Sequence, residues 1–145
     1  MPLLTFPIGA HELALTVLLG PSRPVTAAYV TSGRPVPAVW AAGVLDTGTN
    51  ITCVARPGLR RLGLVPTRRS RSQTASGRVA VRLFRVSLTI PPAGNAPGAS
   101  LTFPDLEVME LPQPLSGAEV LIGMDVLLGC KLLLDGPARQ FALEF

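Results

Sequence analysis

Val36-Pro37-Ala38-Val39-Trp40-Ala41-Ala42-Gly43-Val44-Leu45-Asp46-Thr47-Gly48-Thr49-Asn50 decides how this chain reads. An apolar run from Val36 to Leu45 drives into a lone aspartate, and a threonine and a glycine follow at once. A run of that kind predicts a buried strand. Ending it on an ionisable group is costly unless that group has a partner or a task. Gly48 allows a tight turn that a residue with a Cβ would resist. Asp46 is therefore expected at the end of a core strand, at the mouth of a turn and partly desolvated, which suits a catalytic carboxylate.

The bulk of the chain fits many short strands. Its 145 residues are enough for one domain, residues 1–145, with a real core. Hydrophobic residues make up 48% and charged residues 15%, which excludes a disordered chain. Fifteen prolines and fourteen glycines punctuate the apolar runs, as turns between strands would. No apolar run approaches the ~20 residues that span a bilayer, so no membrane partner is expected. The first twenty residues lack an early Lys or Arg and are interrupted by His11 and Glu12, a poor secretory signal. Cys53 and Cys130 lie far apart without metal-ligand spacing, so buried free thiols, no metal and a cytoplasmic setting are expected.

Read in order, residues 11–20, Pro24–Thr31 and Val36–Leu45 are expected as three strands. Ile51–Val54 is a short apolar return. Pro57–Leu64 predicts a short helix, with Pro57 suited to its first turn and Gly63 to its stop. Arg78–Ile90 alternates apolar and polar residues, with a slip of phase at Leu83-Phe84 that predicts a bend or bulge. With Thr74-Ala75-Ser76-Gly77 before it, the polar segment 68–82 reads as a projecting hairpin. Pro91–Ser100 is a loop, Leu101–Leu111 a strand and Pro112–Gly117 a turn. The last sixteen residues form a hairpin across Asp135-Gly136, lengthened by Pro137.

A second motif stands at Leu121-Ile122-Gly123-Met124-Asp125, following the strand Val120–Ile122. Gly123 permits a sharp turn there, and Asp125 is placed to cap a short helix ending at Gly129. Asp-Thr-Gly alone occurs by chance in roughly one in thirty chains of this length. The apolar strand before it, the hairpin with a glycine at its tip and the second motif, in that order, make coincidence a poor explanation.

This arrangement resembles the retropepsin-like aspartic proteases over nearly the whole chain from Val36 onward. The resemblance implies an all-β fold: a single-lobe closed β-barrel with a flap hairpin and one or two short helices. It implies that Asp46-Thr47-Gly48 is the catalytic turn. Thr74-Ala75-Ser76-Gly77 would be the tip of a flap over bound substrate, with Asn50 also against the substrate, and Leu121, Ile122, Gly123 and Asp125 would support the catalytic loop from below. Short viral members usually carry Asp at the position of Asn50 and Arg at that of Met124, and those two pair; this chain has neither. The helix near residue 57 and the terminal hairpin bring it closer to the cellular and bacterial branch.

The family's chemistry uses two carboxylates sharing one proton, because like charges about 3 Å apart do not both ionise easily. No second Asp here is followed by Thr-Gly or Ser-Gly. The missing partner is then Asp46 of a second copy, which implies a homodimer with its two-fold axis through the site. No cofactor is implied, and the substrate class is a peptide or protein, bound extended between apolar walls including Val81, Leu83 and Ile122. The competing reading is a binding or scaffold module that keeps the fold without proteolysis.

Charge is unevenly placed. No Asp or Glu lies between Thr47 and Pro104, while nine arginines do. The stretch lacks interleaved aromatic residues, which weighs against a nucleic-acid partner. Arg68, Arg69, Arg71 and Arg78 lie beside the hairpin and predict a bias towards acidic peptides. His11 reads as a surface residue, and the Asn50-Ile51-Thr52 glycosylation sequon as accidental.

Overall fold

The structure is a computed structural model and describes residues 1–112 and 115–145. Its strands are β1 (Leu3–Pro7), β2 (Ala14–Pro21), β3 (Val39–Leu45), β4 (Cys53–Val54), β5 (Arg68–Thr74), β6 (Gly77–Ile90), β7 (Leu101–Glu110), β8 (Val120–Ile122), β9 (Lys131–Asp135) and β10 (Gln140–Glu144). The helices are α1 (Arg23–Thr31), α2 (Arg56–Arg61) and α3 (Met124–Leu127). The turn expected over Pro112–Gly117 includes Gln113 and Pro114, which lie outside the described residues.

Six strands close into a barrel in the order β2-β3-β8-β4-β7-β6, and β6 returns to pair with β2. Closure satisfies backbone groups that an open sheet would leave at its edges. The interior is filled by one face of each strand: Leu15, Val17 and Leu19 from β2, Val86, Leu88 and Ile90 from β6, with Val108, Val120 and Ile122. Two of the pairings are parallel, β3 with β8 and β4 with β7. The strand leading into Asp46 thus lies directly beside the strand leading into Gly123.

The 14-residue β6 serves two structures at once. Its second half belongs to the barrel. Its first half leaves the barrel and pairs with β5 from Arg68↔Leu83 to Thr74↔Gly77, forming a projecting hairpin. The expected slip of phase is present in burial: Val81 and Leu83 are buried on one face, then Phe84, Val86, Leu88 and Ile90 on the other. The register shift of the ladder lies further on. Val86 pairs with Leu106 but Leu88 with Phe103, so β7 carries one extra residue near Pro104. Proline has no N–H to give to a ladder, which suits it to a bulge.

A second sheet, β1-β10-β9, joins the start and end of the chain. Leu4, Phe6, Phe141 and Leu143 face inward, and the rings of Phe6 and Phe141 stack with centroids 5.2 Å apart. The β9–β10 hairpin has the lengthened loop expected from Pro137. β1 itself is not foreseen by the sequence reading, although Leu4 and Phe6 alternate with exposed Leu3, Thr5 and Pro7.

One expected strand is corrected. Pro24–Thr31 is helical, within α1. Pro24 stands in the first turn, where its fixed φ suits a helix and its missing N–H is not needed. α1 buries none of its residues, so no apolar stripe of helical period announces it.

Candidate active site

Asp46 follows the last residue of β3, and its backbone N–H donates to the Ile122 carbonyl at 2.9 Å. This bond carries the parallel β3–β8 pairing one residue beyond the strand, so the turn starts from a fixed point. The Gly48 N–H then donates to Asp46 Oδ1 at 2.8 Å. The carboxylate is thereby oriented by its own turn, and Asp46 is half-buried. Gly48 does not adopt a left-handed φ. What it supplies is space: a Cβ there would stand 3.1 Å from Asp46 Oδ1. Thr47 and Asn50 are exposed, and the Thr49 hydroxyl donates to the Ile51 carbonyl at 3.0 Å.

The turn rests on residues 121–125. The Met124 N–H donates to the Thr49 carbonyl at 2.9 Å, and the Asp125 N–H to the Asn50 carbonyl at 3.2 Å. Gly123 lies flat against the turn. A Cβ at that position would meet the Ile51 carbonyl carbon at 2.9 Å and the Thr49 carbonyl oxygen at 3.0 Å, so no side chain fits.

Thr52 is a member of this site that the sequence reading misses. It is fully buried, its hydroxyl donates to Asp125 Oδ1 at 2.7 Å, and that hydroxyl accepts the Gly123 N–H at 3.1 Å. The Thr52 N–H donates to Asp125 Oδ2 at 2.9 Å, and Oδ1 also accepts the Val126 N–H at 2.9 Å. Asp125 is not the cap expected of it: the N-cap of α3 is Gly123, and Asp125 stands within the first turn, where it accepts the next N–H and clamps the segment leaving the Asp46 turn. A polar residue between buried Cys53 and Val54 on one side and Ile51 on the other was the available signal, since a buried hydroxyl needs partners. Cys53 lies beneath the same turn with Sγ 3.4 Å from the Ile51 carbonyl oxygen. Burial, the largest influence, pushes its thiol up to about 11, so it stays protonated and inert.

Beside the turn lies a cleft of about 390 Å³. Gly48, Thr49, Asn50 and Ile51 form one wall, Arg68, Ser70, Arg71, Ser72 and Gln73 of β5 the other, with Leu83 and Met109 between them. Of the three apolar walls expected, only Leu83 lines this cleft. Ile122 is fully buried in the barrel and Val81 is buried on the hairpin. The tip Thr74-Ala75-Ser76-Gly77 stands beyond the cleft, closed by the Thr74 hydroxyl donating to the Gly77 carbonyl at 2.8 Å. The structure thus brings Asp46, Thr47, Gly48 and Asn50 together with Leu121, Ile122, Gly123 and Asp125. Residues 74–77 lie at the far end of a hairpin whose stem flanks the turn.

The arginines of the hairpin base are tied to acids. Arg68 grips Glu107 through two bonds, at 3.1 and 2.7 Å, and Arg85 reaches Asp105 at 2.7 Å. Glu110, only 3% exposed, accepts from Arg82 and also faces Arg56 at 3.3 Å. Burial resists its ionisation most strongly, but the side-chain and backbone N–H groups of Arg82 and the charge of Arg56 outweigh it. The Glu110 carboxyl stays below the usual range.

A closed barrel, an aspartate turn laid on a Gly-x-Asp floor and a projecting hairpin define a retropepsin-like fold. A sequence profile of the family described as aspartyl protease matches residues 27–126, more than half of the chain, and the chain belongs to that family. Its fold is similar to that of the crystal structure of a retropepsin-like aspartic protease from Rickettsia conorii. The TM-score is 0.60 at 13% sequence identity, over 99% of this chain and 93% of that one. No curated protein matches the chain.

Proposed function

We propose that this chain is an aspartic endopeptidase that works as a homodimer, hydrolysing peptide bonds with a water held between two Asp46 carboxylates. The observation that carries this reading is the seating of Asp46: a half-buried carboxylate at a strand end, oriented by the Gly48 N–H and held through backbone bonds to the 121–125 floor. One Asp46 takes a proton from the water as it attacks the peptide carbonyl. The other, protonated, gives its proton to the carbonyl oxygen, and a gem-diol forms. Proton transfer to the departing nitrogen then breaks the C–N bond. Thr47, exposed beside Asp46, is suited to a hydroxyl contact with the partner's turn.

Substrate lies extended in the cleft against Asn50 and β5, and residues 74–77 close over it and keep water out. The second copy is expected to meet this one through the C-terminal residues 130–145. There, among the described residues, β9 has an unpaired edge, and Leu134 is 64% exposed. Digestion of a peptide library by wild type and by Asp46→Asn tests the activity. Cleavage that is lost in the folded Asp46→Asn protein supports it. Cleavage that persists removes Asp46 from the chemistry, and a wild type that cleaves nothing favours a binding module.

A further inference from the structure

Among the described residues three hairpin arginines have no acid to answer them. Glu107 is committed to Arg68, Asp105 to Arg85, and Glu110 to Arg82 and Arg56. Among the described residues no carboxylate pairs with Arg69, Arg71 or Arg78, and all three are exposed. The register puts them together. Arg69 lies opposite Arg82, Arg71 opposite Ala80 and Gln73 opposite Arg78, and directly opposed residues share a face. Arg71 is thus a same-face neighbour of Arg69 along β5 and a diagonal neighbour of Arg78 across the hairpin. Ala80, the residue it faces, is too small to cover it. Like charges at this spacing repel, and an incoming carboxylate relieves that repulsion. Of the three, Arg71 also borders the cleft beside Gly48–Ile51, from the free edge of β5, since Leu83 within the cleft pairs with Arg68 on the other face of the hairpin.

We propose that Arg71, with Arg69 and Arg78 on the same face of the hairpin, selects extended peptides that pair along the free edge of β5 and place an acidic side chain on that face, bordering the cleft beside the Asp46 turn. This rests on the proteolytic reading for its catalytic consequence, but not for its binding. Among the described residues β5 has β6 on one side only, so its other edge is free to pair with an extended peptide, whose alternate side chains then fall on the arginine face. The occupant is a peptide and not a single-stranded nucleic acid, because none of the described residues that line the cleft is an aromatic that could stack on a base. Arg68 lines the same cleft, but its fork is already filled by Glu107, which leaves Arg71 as the determinant.

The test uses peptides with a common cleavable centre and Glu, Gln or Lys at flanking positions. With wild type, kcat/KM for the best Glu peptide exceeds that of its Gln counterpart up to about tenfold, as for one charge-assisted pair, and the ratio shrinks in high salt. Arg71→Gln brings the ratio close to one, Arg71→Glu turns it towards Lys peptides, and Arg71→Lys keeps part of it. Fluorescence anisotropy of the labelled peptides on Asp46→Asn protein reads binding without cleavage. If wild type cleaves nothing and Asp46→Asn still binds the Glu peptide in an Arg71-dependent way, the proteolytic reading fails and this one stands. Equal handling of Glu and Gln peptides, or a preference that survives Arg71→Gln, overturns it. So does binding of a single-stranded oligonucleotide through these arginines in place of acidic peptides.

Discussion

The Thr52 hydroxyl and the Asp125 carboxylate lie 2.7 Å apart although 73 residues separate them in sequence. Through this pair the segment leaving the Asp46 turn is tied to the first turn of α3. The same hydroxyl accepts the Gly123 N–H, so one oxygen joins both halves of the site.

Thr52→Val keeps the shape and removes that oxygen. The Gly123 N–H then loses its partner in a buried setting and Asp125 loses a donor, at a cost of about 1–3 kcal/mol. Thr52→Ser keeps the hydroxyl and costs less. Urea unfolding of the three proteins checks the order.

Gly123→Ala is expected to be damaging for a different reason. The new methyl meets backbone atoms of Ile51 and Thr49, which cannot rotate away as a side chain can. Overpacking of this kind costs about 1–3 kcal/mol. Because the atoms met belong to the Asp46 turn, cleavage is expected to fall further than stability. Parallel unfolding and peptide-digestion measurements compare the two losses.

Stability is expected to fall in acid, partly through Glu110. Its folded carboxyl sits below the ordinary value of 4.5, so the folded state holds fewer protons than the unfolded chain near that value. The stabilisation is complete above the unfolded pKa and is lost as pH drops through the folded one. Glu107, lowered chiefly by its bonds from Arg68, acts in the same direction. Glu110→Gln is expected to flatten this part of the profile, read from unfolding midpoints between neutral pH and pH 3.

If two copies supply the two carboxylates, specific activity must depend on protein concentration. Dilution is expected to lower it, and Leu134→Arg on the free edge of β9 is expected to raise the half-activity concentration at least tenfold. Sedimentation on the same dilution series must report dissociation in step with the loss.

Much of this was legible because local pattern and global fold agree. Val39–Leu45 runs apolar into Asp46, and Arg78–Ile90 keeps its alternation through the slip at Leu83-Phe84. α1 was not legible. Val25, Thr26, Val30 and Thr31 are β-branched, and a helix that buries nothing leaves no apolar period to compete with that preference. Thr52 was hidden because its partners come from a strand–helix junction far along the chain. The cleft lining was misjudged at Ile122, whose apolar side chain faces the barrel interior and not the substrate side.

The parallel pairing of β3 with β8 has a consequence for the timing of synthesis. Val44 meets Leu121, and Asp46 meets the carbonyl of Ile122, only after more than seventy further residues have been made. Barrel closure by such distant partners is slow compared with hairpin formation. A growing chain therefore carries Asp46 out of the ribosome on an unsupported turn. The turn acquires its floor only when the strand at Val120–Ile122 and Gly123 have emerged, so Asp46 is seated only once residues 121–125 have been made.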